Sequence, residues 1–127
     1  MNYNHYLLAR TMAEKSTSRF RLGAVLAKKN RVLSTGFNDM RKTHTIMQKY
    51  NLDKSWAPGL HAEVHACLGM SMSDIEGSDL YVVRILKDSH LAMARPCRIC
   101  HKFILDVGIR RVYYSFSDEG WNELERS

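Results

Sequence analysis

Residues Asp79 to Ser115 read DLYVVRILKDSHLAMARPCRICHKFILDVGIRRVYYS. Asp79–Leu86 (DLYVVRIL) is a short apolar run rich in β-branched residues, the pattern of a strand buried on both faces. Lys87–Arg95 reads as a loop. Pro96–Val107 reads as a helix that Gly108 ends, because glycine tolerates the left-handed backbone just past a helix terminus. Arg110–Ser115 (RRVYYS) reads as a second strand. A strand, a helical crossover and another strand predict a sheet that is at least partly parallel and covered by helices.

The flanking segments extend that pattern. Asn2 to Lys15 carries Tyr6, Leu7, Arg10, Met12 and Ala13 at roughly helical spacing, and predicts a helix. Leu22–Lys28 (LGAVLAK), a tight turn at Lys29–Asn30 and Arg31–Thr35 (RVLST) predict a β-hairpin. Asn38 to Leu60 is a long polar loop with one helical turn expected near Ile46–Tyr50. His61–Met72 reads as a helix. Beyond Ser115, Asp118–Arg126 reads as a short closing helix capped by Ser117 or Asp118. The expected order is α-β-β-α-β-α-β-α, an α/β fold with a central mixed sheet of four to five strands flanked by helices. In such sheets the active site lies beyond the carboxyl ends of the strands, near helix N-termini.

The chain has 127 residues, the size of a single domain spanning residues 1–127. Hydrophobic residues make up 45% and charged residues 25%, enough apolar material for one core and too much for a disordered chain. No apolar run approaches the ~20 residues of a membrane span. Met1–Lys15 lacks the basic-then-apolar layout of a secretory signal, so a cytoplasmic location with no membrane partner is expected. The formal net charge of +6 favours an anionic partner, from a mononucleotide to a polynucleotide. Three cysteines are present, and in a cytosolic chain the Cys97/Cys100 spacing suggests metal binding more than a disulfide.

Two motifs carry chemistry. His61-Ala62-Glu63 alone is no more than a solvated or capping pair. Cys97-Arg98-Ile99-Cys100 alone is ambiguous between redox, metal and core roles. Together, each opening a helix, they offer one imidazole nitrogen and two thiolates. That donor set suits a tetrahedral zinc, one per chain, with a fourth position left open for water, the layout of a catalytic site. Helix N-termini favour thiolates through the dipole and unpaired N–H groups, and Pro96 suits a first turn because it has no N–H to satisfy. Glu63 stands two residues from His61, placed to shuttle a proton from the acidified water without itself being a ligand.

The pair HAE…PCRIC resembles the signature of the zinc-dependent cytidine/deoxycytidylate deaminase superfamily. The resemblance runs from about Leu22 to Ser115. Leu22-Gly23-Ala24-Val25 is similar to the family's first strand, Gly36-Phe37-Asn38 to the step after its second, and Gly108–Tyr114 to its last helix-to-strand step. It implies a cytidine-deaminase-like three-layer fold and hydrolytic removal of a nucleobase amine. It implies zinc ligation by His61, Cys97 and Cys100 and proton transfer by Glu63. Substrate contacts are implied at Asn38, at Ala62 between ligand and acid, and at Arg95 directly before the cysteine motif. The histidine ligand departs from the small tetrameric cytidine deaminases, which carry Cys there, and PCRIC departs from the Met common before the second Cys of tRNA adenosine deaminases. A further strand and helix common in relatives are expected to be missing after Tyr114.

The expected substrate is a small cytosine nucleotide or nucleoside, dCMP first. The alternatives are a polynucleotide deaminase acting on tRNA adenosine or on cytosine in single-stranded DNA, and a non-catalytic zinc-binding module closed by Cys67 or His65 as fourth ligand. A homo-oligomer is expected. Cys67 otherwise reads as a buried core thiol, His65 as a group lining the pocket or supporting a ligand, and His101 as surface or polar packing. The loop with Arg41, Lys42, His44, Lys49, Lys54 and Trp56 reads either as solvated or as a substrate wall supplying cations and a stacking ring. Arg84 and Arg95 are expected to flank the pocket entrance, and Tyr113 and Tyr114 to pack in the core.

Overall fold

The structure, a computed structural model, describes residues 1–42, 47, 49 and 59–125. Helix α1 spans Tyr3–Glu14, followed by strands β1 (Arg21–Lys28) and β2 (Arg31–Phe37). Helices α2 (Ala62–Cys67) and α3 (Met72–Ile75) precede β3 (Asp79–Ile85) and the short β4 (Leu91–Ala92). Helix α4 (Arg98–Asp106) then leads to β5 (Arg111–Ser117) and β6 (Gly120–Glu123).

Local chemistry sets most of these boundaries. Asn2 caps α1, its Oδ1 accepting from the N–H groups of Asn4 and His5 at 3.0 and 3.3 Å. Lys29 and Asn30 both take positive φ, 53° and 63°, the two-residue hairpin geometry whose twist matches the flanking strands. Gly108 ends α4 at φ 79°, as its position predicts.

The strands form one sheet in the order β2-β1-β3-β5-β6, with β4 beside β3. β3 and β5 pair in parallel, whereas the β1–β2, β1–β3, β3–β4 and β5–β6 pairs are antiparallel. The parallel pair is the strand–helix–strand unit read from Asp79–Ser115. One sheet face buries Val25, Ala27, Tyr81, Val83 and Tyr113 against Tyr6, Ala9 and Ala13 of α1. The other buries Ala24, Leu26, Leu80, Val82, Val112 and Tyr114 against α2 and α4. Each fully buried Leu or Val contributes about 1.5–3 kcal/mol relative to exposure. Layers on both faces explain why β1 and β3 are apolar without alternation.

Two glycines let helices press directly on strands. A Cβ on Gly23 would lie 2.2 Å from Ala13 N and Ala9 O of α1. One on Gly36 would lie 2.5 Å from Ala66 N of α2. Gly36 therefore fixes the seat of the helix that begins after His61.

Several expectations are corrected. The segment expected as a helix over Asp118–Arg126 turns instead at Asp118–Glu119 and returns as β6. Trp121 pairs with Ser115, and its ring meets Tyr113 edge-on at 5.4 Å. The Leu124 N–H donates to the Val112 carbonyl at 2.8 Å, and Leu124 is buried. Cross-strand pairing and burial thus outweigh the local capping signal. Among the described residues the expected mixed sheet holds five strands in its main order with the two-residue β4 as a sixth beside β3, and a strand does follow Tyr114. β4 lies within the segment expected as a loop. The helix expected over His61–Met72 stops at Cys67, Gly69 takes φ 79°, and Ser71 caps the separate turn α3 by accepting from the Asp74 N–H. Met47 and Lys49 carry helical backbone, while the rest of the turn expected at Ile46–Tyr50 lies outside the described residues. No helix among the described residues is long and apolar enough to cross a membrane.

Candidate active site

The N-termini of α2 and α4 meet at the carboxyl end of β3. His61 is the N-cap of α2, with extended backbone (φ −80°, ψ 149°) and no capping hydrogen bond from its ring. Cys97 is the N-cap of α4, and its sulfur accepts from the Cys100 N–H at 3.5 Å. Cys100 lies one turn on, fully buried.

These positions bring three donors together. His61 Nδ1 lies 3.1 Å from Cys100 Sγ and 3.6 Å from Cys97 Sγ, and all three donors lie within 4.8 Å of one another. Metal–sulfur and metal–nitrogen lengths of ~2.0–2.3 Å imply donor separations of roughly 3.5 Å around a tetrahedral ion. The spacing and the N/S chemistry therefore fit zinc. Among the described residues no other group of potential ligands accompanies these three.

The electrostatics suit the same use. The Cys100 thiol donating to Cys97, helped by His61, holds the Cys97 sulfur as a thiolate, with its pKa lowered to about 4 despite burial. That shared hydrogen bond and burial push Cys100 up. Glu63, in the first turn of α2, is 4% exposed. Burial raises its pKa most strongly, opposed by the nearby His61. A buried carboxyl group with a raised pKa, beside a metal-ligand cluster, is equipped for proton transfer.

A cavity of about 350 Å³ opens over this cluster, in the range of small-ligand pockets. His61, Ala62, Glu63 and Cys97 form its floor, and Leu22, Asn38, Met40 and Leu60 its apolar and polar walls. Arg19, Phe20 and Arg95 stand at its rim, all three exposed. The Asn38 side chain is largely committed to the protein. Its Oδ1 accepts from Ser16 Oγ at 2.7 Å and the Leu22 N–H at 2.9 Å, while Nδ2 donates to the Phe20 carbonyl at 2.5 Å. Asn38 thereby ties the end of β2 to the segment carrying Phe20.

The other residues singled out by sequence separate clearly. Cys67 is a buried core thiol outside the donor cluster, its pKa pushed up to about 12 by burial first and by Glu63 second. His65 Nδ1 lies 2.9 Å from the Phe37 carbonyl, so the ring braces the end of β2 and does not reach the metal donors or the pocket lining. His101 is half-buried on the outer side of α4. Arg84 is not a pocket wall; its guanidinium lies 4.8 Å from the Phe20 ring centroid and acts through that ring. Arg41 pairs with Asp39 at 3.3 Å. His44, Lys54 and Trp56 lie outside the described residues. Tyr113 and Tyr114 are both buried, on opposite faces of the sheet.

Sequence reasoning missed Arg19 and Phe20. The available signal was Ser18-Arg19-Phe20-Arg21, an aromatic between two arginines just before a strand end that faces the site. Arg19 lies 5.5 Å from the Phe20 centroid, so two guanidinia attend this exposed ring.

A family model described as the cytidine and deoxycytidylate deaminase zinc-binding region matches residues 2–116. An uncharacterized deaminase in the luxG 3′ region of Aliivibrio fischeri is 33% identical over 95 residues, covering 72% of this chain and 56% of that protein. The match thus spans just over half of that relative's length. The deoxycytidylate deaminase of Mycobacterium phage D29 is 28% identical over 130 residues, covering 89% of this chain and 94% of the phage protein. The crystal structure of cytidine deaminase from Burkholderia pseudomallei shares the fold, with a TM-score of 0.69 at 16% identity over 99% of this chain and 93% of that one.

Proposed function

This chain belongs to the cytidine and deoxycytidylate deaminase zinc-binding family, and from that membership we propose that it hydrolyses the exocyclic amine of a cytosine nucleotide, dCMP first, to the uracil form and ammonia. The observation that carries this is Glu63, buried on the floor of a pocket that also exposes the His61 and Cys97 donors. His61, Cys97 and Cys100 would hold a zinc ion, which when bound would supply a Lewis acid and an acidified water.

The chain's own residues do the rest. Glu63 carries a proton to the ring nitrogen beside the reacting carbon and then to the departing amine, so that water adds and ammonia leaves. Its buried carboxyl group is suited to both holding and releasing that proton. Leu22, Leu60 and Met40 exclude bulk water around the base. Ala62, small and buried, leaves room for the ring above Glu63. Phe20 offers a stacking face, with Arg84 against it. Asn38 orients the base or sugar through the amide hydrogen not given to Phe20. Arg19 and Arg95 take the 5′-phosphate.

The preference for a nucleotide over a nucleoside rests on those two rim arginines, and on the phage deoxycytidylate deaminase as a relative over most of both chains. Truncating either arginine should raise KM for dCMP by roughly tenfold or more, since a charge-assisted contact is worth about 1.5–3 kcal/mol, and leave deoxycytidine turnover nearly unchanged. Equal losses on both substrates would remove the phosphate from this assignment. A non-catalytic zinc module needs a fourth protein ligand, and neither Cys67 nor His65 joins the described donor cluster. We place the protein in the cytoplasm, where its thiols stay reduced, and as a homo-oligomer.

A further inference from the structure

Among the described residues β2 is the outer strand of the sheet on its side, and Phe37 is its last residue. The Asn38 N–H donates to the Leu22 carbonyl at 3.2 Å, towards β1. Backbone groups alternate in direction along a strand, so the N–H and C=O of Phe37 point off the sheet edge. A side chain of α2 meets both. Nδ1 of His65 lies 3.1 Å from the Phe37 nitrogen and 2.9 Å from the Phe37 oxygen. With the ring proton on Nε2, Nδ1 accepts from the Phe37 N–H; with the proton on Nδ1, it donates to the Phe37 carbonyl. Either tautomer ties the end of β2 to α2.

That tie joins the floor of the pocket to its wall. His65 stands one helical turn past His61, its N–H donating to the His61 carbonyl at 2.9 Å, and two residues past Glu63. Phe37 runs directly into Asn38. The Asn38 side chain accepts from Ser16 Oγ and the Leu22 N–H and donates to the Phe20 carbonyl, so what holds Phe37 also holds the segment carrying Phe20. Gly36 contributes close packing against the backbone of α2, and His65 adds a directional contact one residue on.

We propose that His65 is a positioning residue: through Phe37 it fixes the Asn38 and Phe20 wall relative to Glu63 and the metal donors, and so sets the affinity of the pocket for its nucleotide. The proposal rests on the deaminase reading above and deepens it, since the wall acts on a nucleotide in that pocket.

The test compares full-length, zinc-loaded variants with the wild type. His65→Leu keeps apolar bulk and removes the polar atom. His65→Gln moves the polar atoms one bond further from the backbone. His65→Asn returns an oxygen and a nitrogen to the Nδ1 distance, able to accept from or donate to Phe37. In the Leu and Gln variants KM for dCMP should rise roughly tenfold, the upper value for one neutral hydrogen bond, with kcat within about threefold and zinc content unchanged. His65→Asn should stay within about threefold of the wild-type KM. A merely structural loss would instead lower the folded fraction, and with it kcat, at unchanged KM. In an Asn38→Ala background His65→Leu should add no further rise in KM, because its effect runs through that wall. Amide hydrogen exchange at Phe37 reads the contact without substrate. It should be at least about tenfold faster in the Leu and Gln variants than in the wild type and the Asn variant. Unchanged KM in His65→Leu, recovery by Gln as complete as by Asn, additivity with Asn38→Ala, or equal protection of Phe37 in all four proteins would overturn the assignment. If His65→Leu fails to fold, the contrast between Gln and Asn carries the same decision. Absence of dCMP turnover in the zinc-loaded wild type would sink the deaminase reading, and Phe37 exchange would still decide whether His65 makes the tie.

Discussion

Glu63 is the residue on which the proposed chemistry turns. It is buried at the start of α2, two residues from the His61 donor, and it lines the pocket floor. Glu63→Gln keeps size and shape but cannot cycle a proton. It should bind metal like the wild type and lose about 10²–10⁴-fold in turnover, as removal of a general acid–base group does. Steady-state ammonia release together with zinc analysis checks both halves. Cys67 gives the complementary prediction. Its sulfur is buried in the core and outside the donor cluster, so Cys67→Ala should keep one zinc per chain while losing some stability from the vacated volume. Loss of zinc in that variant would turn the centre into a four-ligand, structural one. That His61, Cys97 and Cys100 would meet, with Glu63 beside them, was legible in sequence because the chemistry proposed for them demands those residue types at helix starts. Phe20 and Arg19 were not, because what makes them site residues is the pairing of β1 with β3, which sets Leu22 opposite Arg84 at the pocket end of the sheet.

At the scale of elements, the glycine seats and the closing hairpin make the sharpest predictions. Gly36→Ala forces a methyl group against the Ala66 backbone of α2, where neither atom is the end of a flexible side chain. It should cost about 3 kcal/mol, the upper end for overpacking. Because α2 carries His61 and Glu63, zinc affinity should fall with the melting temperature. An unchanged melting temperature would mean that α2 is not seated as described. The β5–β6 turn is tied to the segment before β4 by Asp118, which accepts from the Leu91 N–H at 2.7 Å and pairs with His90. Asp118 raises the His90 pKa through that hydrogen bond, while the Leu91 N–H and then His90 lower that of Asp118. The His90 contribution is complete below its unfolded value of about 6.5 and is lost as pH rises through its raised folded value. The Asp118 contribution is present above about pH 3.9 and is lost as pH falls through its lowered folded value. His90→Gln should therefore reduce the melting temperature at pH 5.5 and leave it unchanged at pH 9. A difference of the same size at both would show that the pair contributes no charge-dependent stability. The effect is small because both groups are solvent-exposed. This hairpin was also the part of the fold that sequence misread. Ser117-Asp118-Glu119-Gly120 serves a helix cap and a hairpin turn equally well, and the partner strand that decides between them is β5, whose edge no local pattern reveals.

At the scale of the whole molecule, a mixed sheet with helices on both faces brings two helix N-termini to the carboxyl end of its parallel pair. That is where a topological argument from Asp79–Ser115 puts an active site, and where the three metal donors, Glu63 and the 350 Å³ pocket lie. Arg19 and Arg95 stand at the rim of the opening, with Arg98 and Lys102 beyond it. The most direct test of the account is ammonia release from dCMP by zinc-loaded wild type and Glu63→Gln, measured side by side at equal zinc content. The expected result is conversion to dUMP by the wild type and at least a ~10²-fold slower reaction in the variant. No release from dCMP, CMP or their nucleosides by the zinc-loaded wild type, or equal rates in the two proteins, would contradict it.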